Sequence, residues 1–294
     1  MPVKTRLYRP QWRGSILILV VLLGAGLGIM GLVGPVEAAK TLQPADLSSS
    51  GWACDTLYST GVITSHFYVP IVSRTEVCQP TGTSYGTLEI PDWAPAPPAE
   101  LHADLNLALR GYTLETNAFL GLVDLGGDTD PKAPQLAGLF AAPRAPTFKA
   151  AYKVYNWDWD CNCRGAPIDD VEVSLTDLAG TPGETIHVPD SGYGLGSGHE
   201  VLVLYASAQR LTLKYTMEDS VIYGYTLHLE NICVDPNLLA LYQALNNAGR
   251  HELPALRRGQ TVGRVYSNGR VGVAVRDTGA FMETRSRKDW WHGY

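Results

Sequence analysis

The blocks TIHVPDSGY (185–193), EVLVLYAS (200–207), RLTLKYT (210–216), SVIYGYTLHLEN (220–231), LRRGQTVGRV (256–265) and GRVGVAVRDTG (269–279) decide the fold. Each is a run of β-branched, Leu and Tyr residues closed by Gly, Asn, Asp or Ser, the pattern of short strands and turns. Side chains alternate along a strand, so Leu211, Leu213 and Tyr215 share one face and Thr212, Lys214 and Thr216 the other. Along 221–230 the apolar row is Val221, Tyr223, Tyr225, Leu227 and Leu229, and His228 joins Thr226 and Glu230 on the polar row. Residues 217–220 suit a hairpin loop between the two runs. One helix is expected inside this region, over 235–249: Asp235 can cap it, Pro236 suits its first turn, Leu238, Leu239, Tyr242 and Leu245 make one face, and Gly249 stops it. The fold class is therefore mainly β, with an antiparallel C-terminal β-domain over 166–294.

Working outward, residues 101–112, 118–125, 147–160 and 168–175 read as four strands, the core of a middle β-domain over 99–165. A Pro-rich stretch, PDWAPAPPA (91–99), separates it from a stem and small Cys-bridged segment within 39–98. The first residues form an address. Four basic side chains precede an uninterrupted apolar run of 20 residues, 15–34, and Val36-Glu37-Ala38 offers a cleavage site. Residues 1–38 are read as a leader helix, either a signal peptide cut after Ala38 or a retained membrane anchor. Both place the remainder outside the cell, secreted or at the cell surface, with membrane contact only through this segment.

Charge excludes one class of partner. Four of the 23 basic and one of the 29 acidic side chains precede Ala39, which leaves 19 and 28 and a net charge of −9. A nucleic-acid partner would call for a basic face instead. All five cysteines follow the leader, as suits an oxidising compartment. A Cys54–Cys78 bridge is expected first, then Cys233 with Cys161 or Cys163, Cys163 being preferred. A metal site on Cys161-Asn162-Cys163 is disfavoured because zinc sites separate paired cysteines by two or more residues.

Three further features carry functional readings. Trp157 and Trp159 alternate with Asp158 and Asp160, so the rings share a face; they either stack on sugars or pack in the core, and large aromatics favour the core. Asp124, Asp128 and Asp130 in DLGGDTD could hold calcium, although their spacing is not that of the twelve-residue calcium loop, and a solvated turn is favoured. In the tail, Trp290 and Trp291 are expected to fold back onto the domain with Arg285, Arg287 and Lys288 in solvent, rather than to touch anionic polymers or lipid.

The order GETIHVPDSGY, TLHLENI, LRRGQTVGRV, VGVAVRDTG resembles the M23 (lysostaphin-type) peptidases, whose fold is the duplicated hybrid motif. Gly183 to Gly192 is similar to the family's G-x-P-V-x-A-x-x-D-G strand, His228-Leu229 to half of Y-x-H-L, Gly259 to Gly263 to the G-Q-x-I-G turn, and Val275, Arg276 and Gly279 to the end of H-x-H-F-E-V-R-x-N-G. The likeness covers roughly 168–284. It implies a zinc hydrolase, and such enzymes need protein ligands that leave one position open for a polarised water.

The ligand set is incomplete here. Arg270 and Gly272 stand at the two His positions of H-x-H, and residues 168–177 offer Asp169, Asp170, Glu172 and Asp177 but no His for the upstream H-x-x-x-D pair. Only His228, at the auxiliary position, matches. His187 and Asp190, with His199 nearby, form a weaker metal candidate at positions the family does not use. Gly196-Ser197-Gly198-His199 lacks the nucleophile elbow of Ser hydrolases. The resulting expectation is an exported, non-catalytic binding or structural module without a cofactor. Its partner would be cell-wall peptide, glycan or another envelope protein, with His228, Glu230, Arg270, Trp157 and Trp159 as candidate contacts. An active zinc endopeptidase with relocated ligands, or a surface-layer or appendage subunit, is the alternative.

Overall fold

The computed structural model describes residues 77–91 and 98–294. The leader, the stem with Cys54 and most of the Pro-rich linker lie outside the described residues. In chain order the elements are β1 (Gly86–Glu89), α1 (Leu107–Arg110), β2 (Tyr112–Leu114), β3 (Phe148–Asp158), β4 (Cys163–Pro167), β5 (Leu175–Ala179), β6 (Thr185–His187), β7 (Val201–Ser207) and β8 (Arg210–Lys214). They continue as β9 (Tyr225–Glu230), β10 (Ile232–Val234), α2 (Pro236–Asn247), β11 (Glu252–Leu256), β12 (Thr261–Val265), β13 (Arg270–Asp277), β14 (Ala280–Phe281) and α3 (Arg287–Trp290). Among the described residues no helix is long and apolar enough to cross a membrane.

The chain is mainly β, as its patterning implied. One 11-stranded sheet runs β1-β11-β7-β8-β9-β13-β5-β3-β2, with β14 beside β13 and β4 beside β3; a 3-stranded sheet runs β10-β12-β6. Neighbours pair antiparallel, for example Leu213 with Leu227 and Val275 with Leu227. The residues of 99–165 do not build a sheet of their own. Strand β3 continues the large sheet alongside β5 and β2 alongside β3, so no sheet boundary falls at 165.

Helix α2 forms where Asp235 and Pro236 place it. The Asp235 carboxylate accepts from the Asn237 amide at 2.7 Å, and Gly249, at φ +99°, ends the segment in a conformation that costs other residues more. Two blocks expected as strands are not. Asn106 accepts from the Ala108 amide and starts the short helix α1, and Leu-Ala-Leu-Arg are good helix formers. Residues 118–125 contribute only a bridge from Val123 to Ser286. Similarly, regular pairing in 168–175 begins only at Leu175.

The large sheet has two buried faces, and that arrangement positions everything below. Leu211, Leu213, Leu227, Leu229, Val271, Val273, Val275 and Leu178 point to the main core, where Ile186, Val234, Val262, Val265 and helix residues Leu238 and Tyr242 meet them. Ala274 and Leu175 point the other way, into a small cluster with Leu107, Val154, Ile168 and Phe281. The second face therefore carries the polar rows of β8, β9 and β13, yet it is covered by 99–115 and β14 rather than by water.

Candidate functional site

Three ladder rows make up the covered polar face. The first is Arg210, Glu230, Gly272 and Asp177, consecutive partners across β8, β9, β13 and β5. Arg210 Nε lies 2.7 Å from Glu230 Oε2, while Arg270, on the rim, reaches Asp177 at 3.5 Å and the Tyr152 hydroxyl donates to Asp177 at 3.0 Å. Glu230 is buried, and burial pushes its carboxyl up to about 7 against the opposing pull of Arg210. Tyr112 packs edge-on against Tyr152 with ring centroids 5.1 Å apart; burial, reinforced by the Glu230 and Asp177 carboxylates, raises its phenol to about 12.

The second row is Thr212, His228 and Ala274. Thr212 donates its hydroxyl hydrogen to the Leu105 carbonyl at 2.6 Å, so the His228 Nδ1, 3.1 Å from the same oxygen, must be the donor to it. That assigns the Nδ1–H tautomer and leaves Nε2 a bare lone pair, for which there is no hydrogen-bond partner. The ring stacks on Phe281 at 6.1 Å and is wholly enclosed; burial, with Arg276 nearby, lowers its pKa to about 3. His228 is neutral and sealed from solvent at 0% exposure.

The third row is Lys214, Thr226 and Arg276. Asp104 Oδ1 accepts from Arg110 at 2.6 Å and from Arg276 at 2.7 Å, which fastens the covering segment to β13. Lys214 donates to the Tyr223 carbonyl, and burial brings its ammonium down to about 8. Neither Asp104 nor Arg110 stood out in the sequence, because 101–112 read as a strand.

The remaining candidates separate. His187 engages both ring nitrogens, with the Gly259 carbonyl and the Thr185 hydroxyl each at 2.8 Å, and Asp190 pairs with Arg258 at 2.7 Å. Asp124 pairs with Arg287 at 2.8 Å, Asp128 offers Lys288 only its backbone carbonyl, and Asp130 accepts from the Lys132 amide and two tyrosines. No group of three or more His, Cys, Asp or Glu that could hold a metal ion occurs among the described residues.

The cysteine pairing differs from the expected one. Cys78 bonds Cys233, because residues 77–85 run beside β10 and the start of α2, where Thr81 reaches Asp235 at 2.6 Å; Cys78 is thus not paired with Cys54. Cys161 bonds Cys163 across Asn162, at the tip of the β3–β4 hairpin and away from Cys233.

That hairpin also corrects the placement of the tryptophans in a core. Trp157 is half-buried and donates to Asn162 at 3.2 Å, and Trp159 sits in the turn, 52% exposed. The Trp159 ring faces His102, with centroids 5.1 Å apart, over a cavity of about 400 Å³. Leu105, Val221 and Ile222 give it an apolar floor, and Asp104 and Asp219 bring carboxylates to its wall. Burial lowers the His102 pKa, which favours the neutral ring. Asp219 is held in place by Arg250, which grips both carboxylate oxygens at 2.6 and 2.8 Å and also donates to the Leu204 carbonyl. Sequence offered Trp159 as a candidate contact, but nothing in the pattern joined it to His102 or Asp219. Comparison with known proteins finds no matching family model, no similar curated protein and no similar solved structure.

Proposed function

We propose that this chain is an exported protein of the cell envelope or extracellular space that binds a glycan without cleaving it, on a β-domain of lysostaphin-like descent. The observation that carries the reading is the half-exposed Trp159 ring set against His102 over an open cavity with two carboxylates. An aromatic face of this kind suits the apolar side of a sugar ring, and fixed carboxylates accept its hydroxyls. The covered face supports binding over cleavage. Its one imidazole at a family position is enclosed, and Gly272 stands between the Glu230 and Asp177 side chains where the family would need a ligand.

The test incubates the full chain with isolated cell-envelope glycan and follows retained protein, released fragments and bound metal together. Retention without fragments, weakened at least roughly tenfold by Trp159→Ala, is the expected result. Fragment release abolished by a chelator would overturn the reading in favour of a zinc endopeptidase. Equal retention of Trp159→Ala would remove the cavity from it.

A further inference from the structure

At the far end of the main core face the ladder closes with a row of different character. Tyr215, Tyr225 and Asp277 are neighbours across β8, β9 and β13: the Tyr215 amide donates to the Tyr225 carbonyl at 3.0 Å, and Tyr225 is directly opposite Asp277. Two loop residues complete the enclosure. The Tyr193 and Tyr225 hydroxyls both donate to Asp130 Oδ2, at 2.6 and 3.1 Å, and the two rings lie 6.1 Å apart. Together these five side chains line a cavity of about 330 Å³. Asp130, Tyr225 and Asp277 also border a neighbouring cavity of about 320 Å³, so they are approached from two sides.

The chemistry of this enclosure is one-sided. Neither Asp130 nor Asp277, both partly buried, forms an ion pair with a cationic side chain among the described residues, whereas the buried Glu230 and Glu283 do. Asp277 Oδ1 accepts from the Thr278 hydroxyl at 2.9 Å, which leaves Oδ2 its lone pairs. Tyrosine faces attract cations through the ring quadrupole. Tyr193 already does so, with Lys132 Nζ 5.6 Å from its centroid. Lys132 and Lys214 act on Asp130 and Asp277 through space, but neither touches its carboxylate. Two carboxylates with no direct cationic contact beside three phenol rings favour a positive guest, and free acceptor lone pairs favour one that carries N–H donors. Gly224, at φ +56°, and Thr216 also line the cavity and are close-packed, since a β-carbon at 224 would meet Thr216 Cγ2 at 2.7 Å.

We infer that the cavity between Tyr193, Tyr215, Tyr225, Asp130 and Asp277 is a binding site for a primary ammonium group, such as a lysine side chain of a peptide or the amine of an amino sugar. The site is built from residues outside the glycan cavity and does not depend on that reading. It differs from the calcium reading of Asp124, Asp128 and Asp130 because only Asp130 takes part, and as the acceptor that holds two tyrosines in place.

The experiment titrates the full chain calorimetrically with Nα-acetyl-lysine methylamide and, separately, with glucosamine, each against its N-acetylated counterpart. Saturable binding of one or both amines, with no heat from the acetylated forms, is expected, and the arm that binds identifies the source of the ammonium. Asp277→Asn should weaken binding roughly tenfold. Tyr193→Leu, at an exposed position, gives a second measure should the Asn variant lose its circular dichroism. Equal binding of the acetylated forms, unchanged affinity in both folded variants, or no saturable binding of either amine overturns the inference.

Discussion

Gly272 and Glu230 stand directly opposite each other on adjacent strands, and a β-carbon added at 272 would lie 2.9 Å from Glu230 Cβ. The neighbour that would have to move is the root of a buried side chain, so the strand itself must give. Gly272→Ala is expected to cost about 1–3 kcal/mol. A urea midpoint equal to that of the unaltered chain would show that the contact relaxes freely. Any larger side chain at 272, an imidazole included, would meet the same Glu230 Cβ.

Glu230 and His228 give the fold two opposed pH dependences. Glu230 has a folded pKa of about 7, above its ordinary 4.5, so its stabilising contribution is full below pH 4.5 and is lost as pH rises through 7. His228 has a folded pKa of about 3, below its ordinary 6.5, so its contribution is full above pH 6.5 and is lost as pH falls through 3. Between 4.5 and 6.5 the two slopes offset each other. Glu230→Gln should therefore gain stability over the unaltered chain between pH 4.5 and 7, on the order of 3 kcal/mol across that window. His228→Asn, whose amide can still donate to Thr212, should lose the acid-side fall and expose the Glu230 slope. Denaturation curves at pH 4, 5.5 and 8 check both, and profiles parallel to that of the unaltered chain would refute the assignment.

The parity of the strands was legible in the sequence; what lay over each face was not. Alternation in 210–216 and 221–230 placed Leu211, Leu213, Leu227 and Leu229 on one side and Thr212, His228 and Glu230 on the other, as found. A period of two says nothing about a third layer, so the alternation placed a polar row on β9 without showing that β9 is buried throughout. The cover depends on Arg110 and Arg276 meeting Asp104, a contact 172 residues apart in sequence for the longer pair. Trp159 shows the converse. Its size argued for the core, and only the four-residue turn that carries it explains its exposure.

The C-terminal segment acts as a clasp, and its removal should be costly. Trp290 and Trp291 fold back as expected, each 1% exposed, with their indole N–H groups donating to Glu283 O at 2.9 Å and Thr284 O at 3.0 Å. Arg285 departs from the expectation of a solvated base: it is buried and grips Glu283, Glu172 and the Phe119 carbonyl. Trp291→Ala should lose about 3–5 kcal/mol through the cavity it leaves. Arg285→Met should lose a similar 3–5 kcal/mol or so, because Glu283 is then left buried without its partner. Thermal melts of both variants provide the check, and a shift of less than a degree in either would show that the segment does not bear on stability.

The two disulfides should differ sharply in what they contribute. Cys78 and Cys233 are 155 residues apart, and Cys161 and Cys163 are 2 apart. In the chain-entropy account, a cross-link restricts the unfolded ensemble more as the loop it closes lengthens, which gives about 4–5 kcal/mol for the long loop and less than half of that for the short one. The long bridge also ties the segment that leads into β1 to the strand before α2, so its loss should free the Thr81 contacts to Asp235 as well. Replacing Cys78 and Cys233 by Ser is expected to lower the urea midpoint steeply, whereas replacing Cys161 and Cys163 should move it little. The opposite ranking would mean that the hairpin tip, rather than the N-terminal segment, is what the fold relies on.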